Sequence, residues 1–242
     1  MKLILATFIT ANLISTAAMA FEVTGGSLVL SENTFFADAE ATDWGHPDVQ
    51  GTLAFSISPV LGGQIGLSTG TTALFQNSYL NGDAHLTYAV SPEVTLGAFI
   101  GQETWYSQPD VIYTNFGVEA AYTKNALTVQ TAAASLKGIT NPDYSGTALI
   151  IDTVYGLNDS FSLTGGLHFL TEKVPAGYLN QRYAYIGAGY AVTPKVTLNV
   201  TYGLVDYGGV SDKYPTVSLG LTYNFRTPAV FQQRNYNSII PD

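Results

Sequence analysis

The sequence predicts an all-β transmembrane barrel: an antiparallel, up-and-down sheet of about twelve strands. Three observations carry this expectation. The chain opens with an export leader, repeats at intervals of about 34 residues, and alternates apolar and polar residues with period two between turns. Alternation of that kind marks half-buried strands, whereas helical repeats of similar length carry a 3.6-residue period.

The leader is read over residues 1–20. Met1-Lys2 gives a positive start, a mostly apolar run extends from Leu3 to Ile14, and Ala18-Met19-Ala20 forms an A-x-A cleavage pattern. This order describes a secretory signal peptide, with the mature chain starting near Phe21. The apolar run is shorter than the roughly 20 residues a spanning helix needs. No later stretch of the sequence reaches 18 consecutive apolar residues. The way left to cross lipid is a closed sheet, in which each backbone group pairs with a neighbouring strand.

Composition agrees. Only 11% of residues are charged, while Gly and Tyr number 24 and 16; a soluble domain carries about 25% charged residues. The absence of cysteine removes both a disulfide framework and a cysteine metal site. Nine basic residues against eighteen acidic give a formal charge of −9, which excludes a nucleic-acid partner of the usual kind.

The repeat centres are Phe55, Tyr88, Tyr122, Tyr155, Tyr190 and Tyr223, spaced by 33 to 35 residues. Turn signals follow the first five: Ser58-Pro59, Ser91-Pro92, Lys124-Asn125, Asn158-Asp159 and Thr193-Pro194. Strands are expected near 23–32, 48–58, 63–72, 78–90, 94–105, 111–123, 126–136, 144–157, 161–171, 182–192, 196–206 and 215–225. In the fourth, Leu80, Ala84, Leu86 and Tyr88 share one face, and Asn81, Asp83, His85 and Thr87 the other. In a soluble sandwich the apolar face would turn inward. In an outer-membrane barrel it meets lipid, and the polar face lines the interior. The tyrosines just before the turns suit an aromatic belt at the lipid boundary. Short turns alternate with longer Asp-, Gly-, Ser- and Asn-rich connections, as periplasmic turns and outer loops do. The longest outer loop is expected over 33–47. The barrel is therefore set at residues 21–225, and the non-alternating residues 226–242 as a periplasmic C-terminal tail.

The phrases Gly25-Gly26-Ser27-Leu28, Tyr88-Ala89-Val90-Ser91-Pro92, Tyr190-Ala191-Val192-Thr193-Pro194 and Leu219-Gly220-Leu221-Thr222-Tyr223-Asn224-Phe225 resemble the small porin-like outer-membrane proteins of alphaproteobacteria. Gln232-Gln233-Arg234 and Ile239-Ile240-Pro241 look like the extension that some of these proteins carry after their last strand. The resemblance implies a porin-like barrel in the cell outer membrane and names no solute. Larger porins fold a long third loop into the pore between acidic and basic clusters; this sequence shows neither such a loop nor a basic cluster.

Candidate site residues follow from phase. Asp83, His85, Glu103, Glu119, Asp152 and His168 take the interior phase and are expected to line a pore. Counting from the turns sets Glu119 and Asp152 lower and Asp83 and Glu103 higher, as a spaced column of acids with no mid-strand base. Carboxylates without partners in a dry interior are costly, so either water fills the lumen or Tyr, Asn and Gln satisfy them in a narrow one. Asp83-x-His85 resembles the lumen-facing pair of omptin-type proteases, but such chemistry needs a partner across a cleft, for which His168 is the one candidate. A phospholipase-type site would need Ser and His on the lipid face, whereas the strand histidines take the interior phase. His46, read in the first outer loop beside Asp48, forms with it a pair too sparse for a metal. The expected function is passive, weakly cation-selective diffusion of small hydrophilic solutes or ions. Neither an enzymatic activity nor a cofactor is expected. The partners are outer-membrane lipid and the barrel-assembly machinery. A non-conducting structural or adhesive barrel acting through its outer loops is the alternative.

Overall fold

The period-two pattern folds as it predicts. The computed structural model describes residues 22–36, 42–71, 78–106, 111–174, 177–208 and 213–234; residues 1–20, where the leader is expected, and 235–242 lie outside this set. Twelve strands occupy the described residues: β1 (Glu22–Phe36), β2 (Thr42–Ser56), β3 (Leu61–Thr71), β4 (Ser78–Ala89), β5 (Val94–Tyr106) and β6 (Val111–Lys124). The second half comprises β7 (Leu127–Gly138), β8 (Ser145–Gly156), β9 (Phe161–Val174), β10 (Gly177–Thr193), β11 (Val196–Gly208) and β12 (Lys213–Arg226). Each pairs antiparallel with its sequence neighbours, and β1 pairs with β12 from Gly26↔Phe225 to Phe35↔Thr216, so the sheet is a closed barrel.

The two faces sort as the alternation requires. Leu67, Leu86, Ile100, Phe116, Val118 and Leu219 stand exposed on the outside. Their strand neighbours Ser68, His85, Gly101, Asn115, Gly117 and Ser218 turn inward. An apolar exterior this continuous is stable only against lipid. Tyr88, Tyr122, Tyr155, Tyr190 and Tyr223 are exposed next to the short turns, forming the belt.

Those turns share one device. The Ser58, Ser91, Asn158 and Thr193 side chains each accept from the backbone N–H three residues on, at 3.0, 3.1, 3.0 and 3.1 Å. This satisfies a donor that the sheet ladder leaves open. Between β6 and β7 the connection shrinks to Asn125-Ala126. There Asn125 adopts φ 54°, the left-handed region that asparagine tolerates in a two-residue hairpin.

Two expectations need correction. The loop set at 33–47 is mostly strand: β1 runs on to Phe36 and β2 begins at Thr42, so His46 and Asp48 are buried wall residues. Their neighbours Asn33 and Pro47 obscured the alternation. The described part of the tail, moreover, does not stay outside. Arg226 takes φ 58° and donates to the Val23 carbonyl at 2.6 Å. Thr227 then bridges to Gly25. A Cβ at Gly25 would lie 1.7 Å from the Thr227 carbonyl oxygen, so only glycine admits this crossing. From there residues 228–234 enter the lumen.

Closure at β1–β12 predicts unequal roles for the last strand and the tail. Phe225→Asp is expected to lower the folded fraction, since charge at the lipid boundary is penalised. Truncation after Arg226 should leave the twelve-strand ring intact. Heat-modifiable mobility on SDS gels measures both, and equal losses would contradict the assignment.

Candidate functional site

The interior site is built from four strands and the tail. Asp83 and His85 project from β4, Glu119 from β6, Asp152 from β8 and His168 from β9, each on the inward phase of its strand. Three of the acids do not form the column expected from counting along strands. Tilt and register stagger bring distant strand positions to a similar depth, and long side chains close the remaining gap. His85 links two of them: its Nδ1 lies 2.5 Å from Glu119 Oε1 and its Nε2 3.3 Å from Asp83 Oδ1. Asp152 Oδ1 lies 2.8 Å from His168 Nε2 and accepts from the Tyr185 hydroxyl at 2.9 Å.

Arg234 joins both groups. Its Nε donates to Glu119 Oε2 at 3.1 Å, and its Nη1 lies 4.0 Å from Asp152 Oδ2. Its backbone N–H donates to Asp83 Oδ2 at 2.9 Å, and its carbonyl accepts from Asn81 Nδ2 at 3.2 Å. Arg234 is only 2% exposed and Glu119 4%, so the two charges are withdrawn from bulk water together. A buried carboxylate is tolerable when paired and hydrogen-bonded in this way. Phase analysis of the strands found no interior base because the base arrives from outside the strand pattern.

The rest of the segment is seated with equal care. Gln64 on β3 donates to the Phe231 carbonyl at 2.7 Å and accepts from the Phe231 N–H at 3.2 Å. This two-way bond of a side-chain amide to backbone imitates one rung of a sheet. Gln130 on β7 does the same across two residues, donating to the Val230 carbonyl at 2.8 Å and accepting from the Gln232 N–H at 3.3 Å. The Phe231 ring, 1% exposed, stacks on His85 with centroids 6.3 Å apart. Gly97 leaves the space: a Cβ there would come within 2.8 Å of both the Phe231 ring and Glu119.

Glu103 stands apart, where it accepts from the Trp105 indole N–H at 2.5 Å. Tyr79, Trp105 and Tyr113 cluster beside it toward the loop end of the interior. A second patch, built on Phe99, Ala132, Ala134, Leu136, Ala148, Ile150 and Leu170, makes part of the wall apolar. Within the ring, bulky side chains face glycines across the ladder, as in Phe99↔Gly117 and Tyr185↔Gly166. The Asp83-x-His85 pair is engaged by Glu119, Arg234 and Phe231, and His168 is bonded to Asp152. Beside the tail remains a cavity of about 240 Å³, bordered on the wall by Asp152 and His168 as well as Ser27, Gln50, Thr52, Asn199, Thr222 and Asn224, and on the tail by Phe231, Gln232 and Arg234.

Of the six expected site residues, the structure thus brings Asp83, His85, Glu119, Asp152 and His168 into one network and leaves Glu103 outside it. Arg234, Phe231, Gln64 and Gln130 were missed. One signal for them is in the sequence: several carboxylates in the interior phase without a cation among them, and a short tail that supplies an arginine.

With this geometry in view, the solved structures it resembles can be named. The COG4313 outer membrane channel from Pseudomonas putida F1 superposes with a TM-score of 0.60 at 13% identity, covering 87% of this chain and 98% of that one. The KdgM porin gives 0.58 at 10% identity, covering 82% and 99%. The NanC porin gives 0.57 at 10% identity, covering 81% and 98%. What they share with this chain is the fold of porin-like outer-membrane barrels. No protein-family model and no curated protein sequence matches the chain; nothing in these comparisons points to an alphaproteobacterial origin.

The buried pairing carries a prediction. Removing one partner of such a pair costs about 3–5 kcal/mol. Glu119→Ala should therefore release the tail and raise its open population by on the order of a hundredfold or more. Trypsin cleavage after Arg234 in the folded barrel reads this, with cleavage unchanged from the parent as the contrary result.

Proposed function

We propose that the protein is an outer-membrane channel for passive diffusion of small hydrophilic solutes or ions, with a weak preference for cations. The observation that carries this reading is a closed twelve-strand barrel whose interior wall is lined with carboxylates, amides and hydroxyls and keeps a polar cavity beside the tail. The apolar, tyrosine-belted exterior supports placement in lipid, and the export leader together with the porin-like fold supports the outer membrane of a Gram-negative cell. Assembly there would rely on the barrel-assembly machinery.

Selectivity follows from fixed charge. Among the described residues, Asp83, Glu103, Glu119 and Asp152 outnumber the one lumenal arginine, Arg234, and acidic linings favour cations. Because one guanidinium offsets part of that charge, the preference is modest. It should also fade as salt screens it over a Debye length of about 10 Å at 0.1 M.

The second reading, a non-conducting structural barrel, is favoured by one observation: the tail occupies much of the lumen at the level of the acids. Planar-bilayer recording of the folded protein separates the two. Discrete conductance steps are expected, with a reversal potential in a KCl gradient on the cation side that shrinks at higher salt. Anion preference would overturn the selectivity, and silence from folded protein would favour the structural barrel.

A further inference from the structure

We propose that residues 228–234 are the constriction element of this channel and that Arg234 is its specificity-determining residue. The inference rests on the channel reading above and deepens it.

The segment is anchored where a constriction must be anchored, on separated parts of the wall. Gln64 belongs to β3 and Gln130 to β7, four strands further round the ring, and each bonds tail backbone in both directions. Between these anchors Phe231 lies against His85, and beyond them Arg234 reaches Glu119. The wall is shaped to receive the segment. Besides Gly97, a Cβ at Gly66 would come within 2.4 Å of Asp83 and 2.9 Å of the Gln233 side chain. In the orientation its neighbours require, the Gln233 amide oxygen accepts from the Ser68 N–H at 3.0 Å. Side-chain amides that mimic a β-ladder, glycines that clear a path and a charge met by carboxylates from separate strands describe a built seat.

The consequence for passage is geometric. The cavity of about 240 Å³ is bounded by the tail on one side. The wall opposite, at Ser27, Gln50, Thr52, Asn199, Thr222 and Asn224, carries hydroxyls and amides. A solute passing this level therefore meets these polar groups together with Asp152 and His168 of the wall and, on the other side, the tail with the edge of the Arg234 side chain. The tail sets the width there. Arg234 sets the balance of charge by offsetting Glu119 and Asp152, so removing it leaves those acids to act on the permeating ion alone.

The chain contains no cysteine, so position and passage can be tested separately. Gln130→Cys with Gln232→Cys, in the full chain folded in detergent or vesicles, should close efficiently with a short thiol cross-linker. Failure to cross-link in verified folded protein would overturn the seat. Planar-bilayer recordings would then compare the full chain, the chain ending at Arg226 and Arg234→Gln. Truncation should raise single-channel conductance at least about twofold, since current scales with the open section, and should shift the reversal potential further toward cations. Arg234→Gln, which removes the charge and retains the chain with its bonds to Gln64 and Gln130, should shift the reversal potential in the same direction with a smaller gain in conductance than truncation. Equal conductance and equal reversal potentials in all three would reject the constriction while the channel stands. Silence from the folded full chain and the folded truncated chain alike would reject the channel, and the constriction with it. Should the truncated chain fold poorly, Arg234→Gln against the parent decides the charge assignment, and the cross-linked pair against its reduced form, whose tail has lost the Gln130 bonds, decides the width: cross-linking must lower the conductance of the reduced form, and equal conductance in the two would reject the constriction.

Discussion

Pairing of β1 with β12 is the constraint from which the other features follow. A sheet that spans lipid has no water to satisfy an unpaired edge, so the first and last strands must find each other. Ten residue pairs from Gly26↔Phe225 to Phe35↔Thr216 meet that requirement. The same seam decides where the chain goes next. β1 carries a register shift between Val23 and Gly25, and Gly25 lets the Thr227 backbone cross at a distance no side chain would permit. With Arg226 in a left-handed conformation, the chain leaves the ladder and turns into the lumen. The device that completes the barrel thus also delivers its interior segment.

Inside, charge and shape solve one problem together. Three carboxylates on three strands would repel one another in a space this narrow. Arg234 and two histidines lie among them, the Tyr185 hydroxyl donates to Asp152 and the Arg234 backbone N–H to Asp83, and Asn81 holds the Arg234 carbonyl. Such a network is costly to leave half satisfied. That gives the tail a defined depth rather than a loose fit, because moving it by one residue would part Arg234 from Glu119 and the Phe231 backbone from Gln64. The apolar wall at Phe99, Ile150 and Leu170 lies within the same barrel, so the lumen is uneven, with water-friendly surface concentrated at Gln50, Thr52, Asn199 and Asn224.

Much of this was open to a reading of residues alone. The twelve strands, the outward tyrosines after each 34-residue step and the inward phase of Asp83, His85, Glu119, Asp152 and His168 all follow from alternation, which is a local property of the chain. Where alternation was interrupted, the reading stopped short: Pro47 and the Asn33–Thr34 stretch hid the ends of β1 and β2, and His46 was taken for loop. The order of acids along the lumen also went astray. Position along a strand is legible from sequence, whereas depth in a barrel depends on tilt and stagger between strands.

Local pattern, then, was enough to set the architecture of this protein: a closed sheet with an apolar outside and an acidic, polar inside. The tail's destination was not in that pattern. Residues 228–234 do not alternate, and their partners Gln64, Glu119 and Gln130 lie roughly 100 to 170 positions away in the chain. Only the closed ring brings those three side chains around one space, and only then does a lone arginine beyond the last strand acquire a place where its charge is needed.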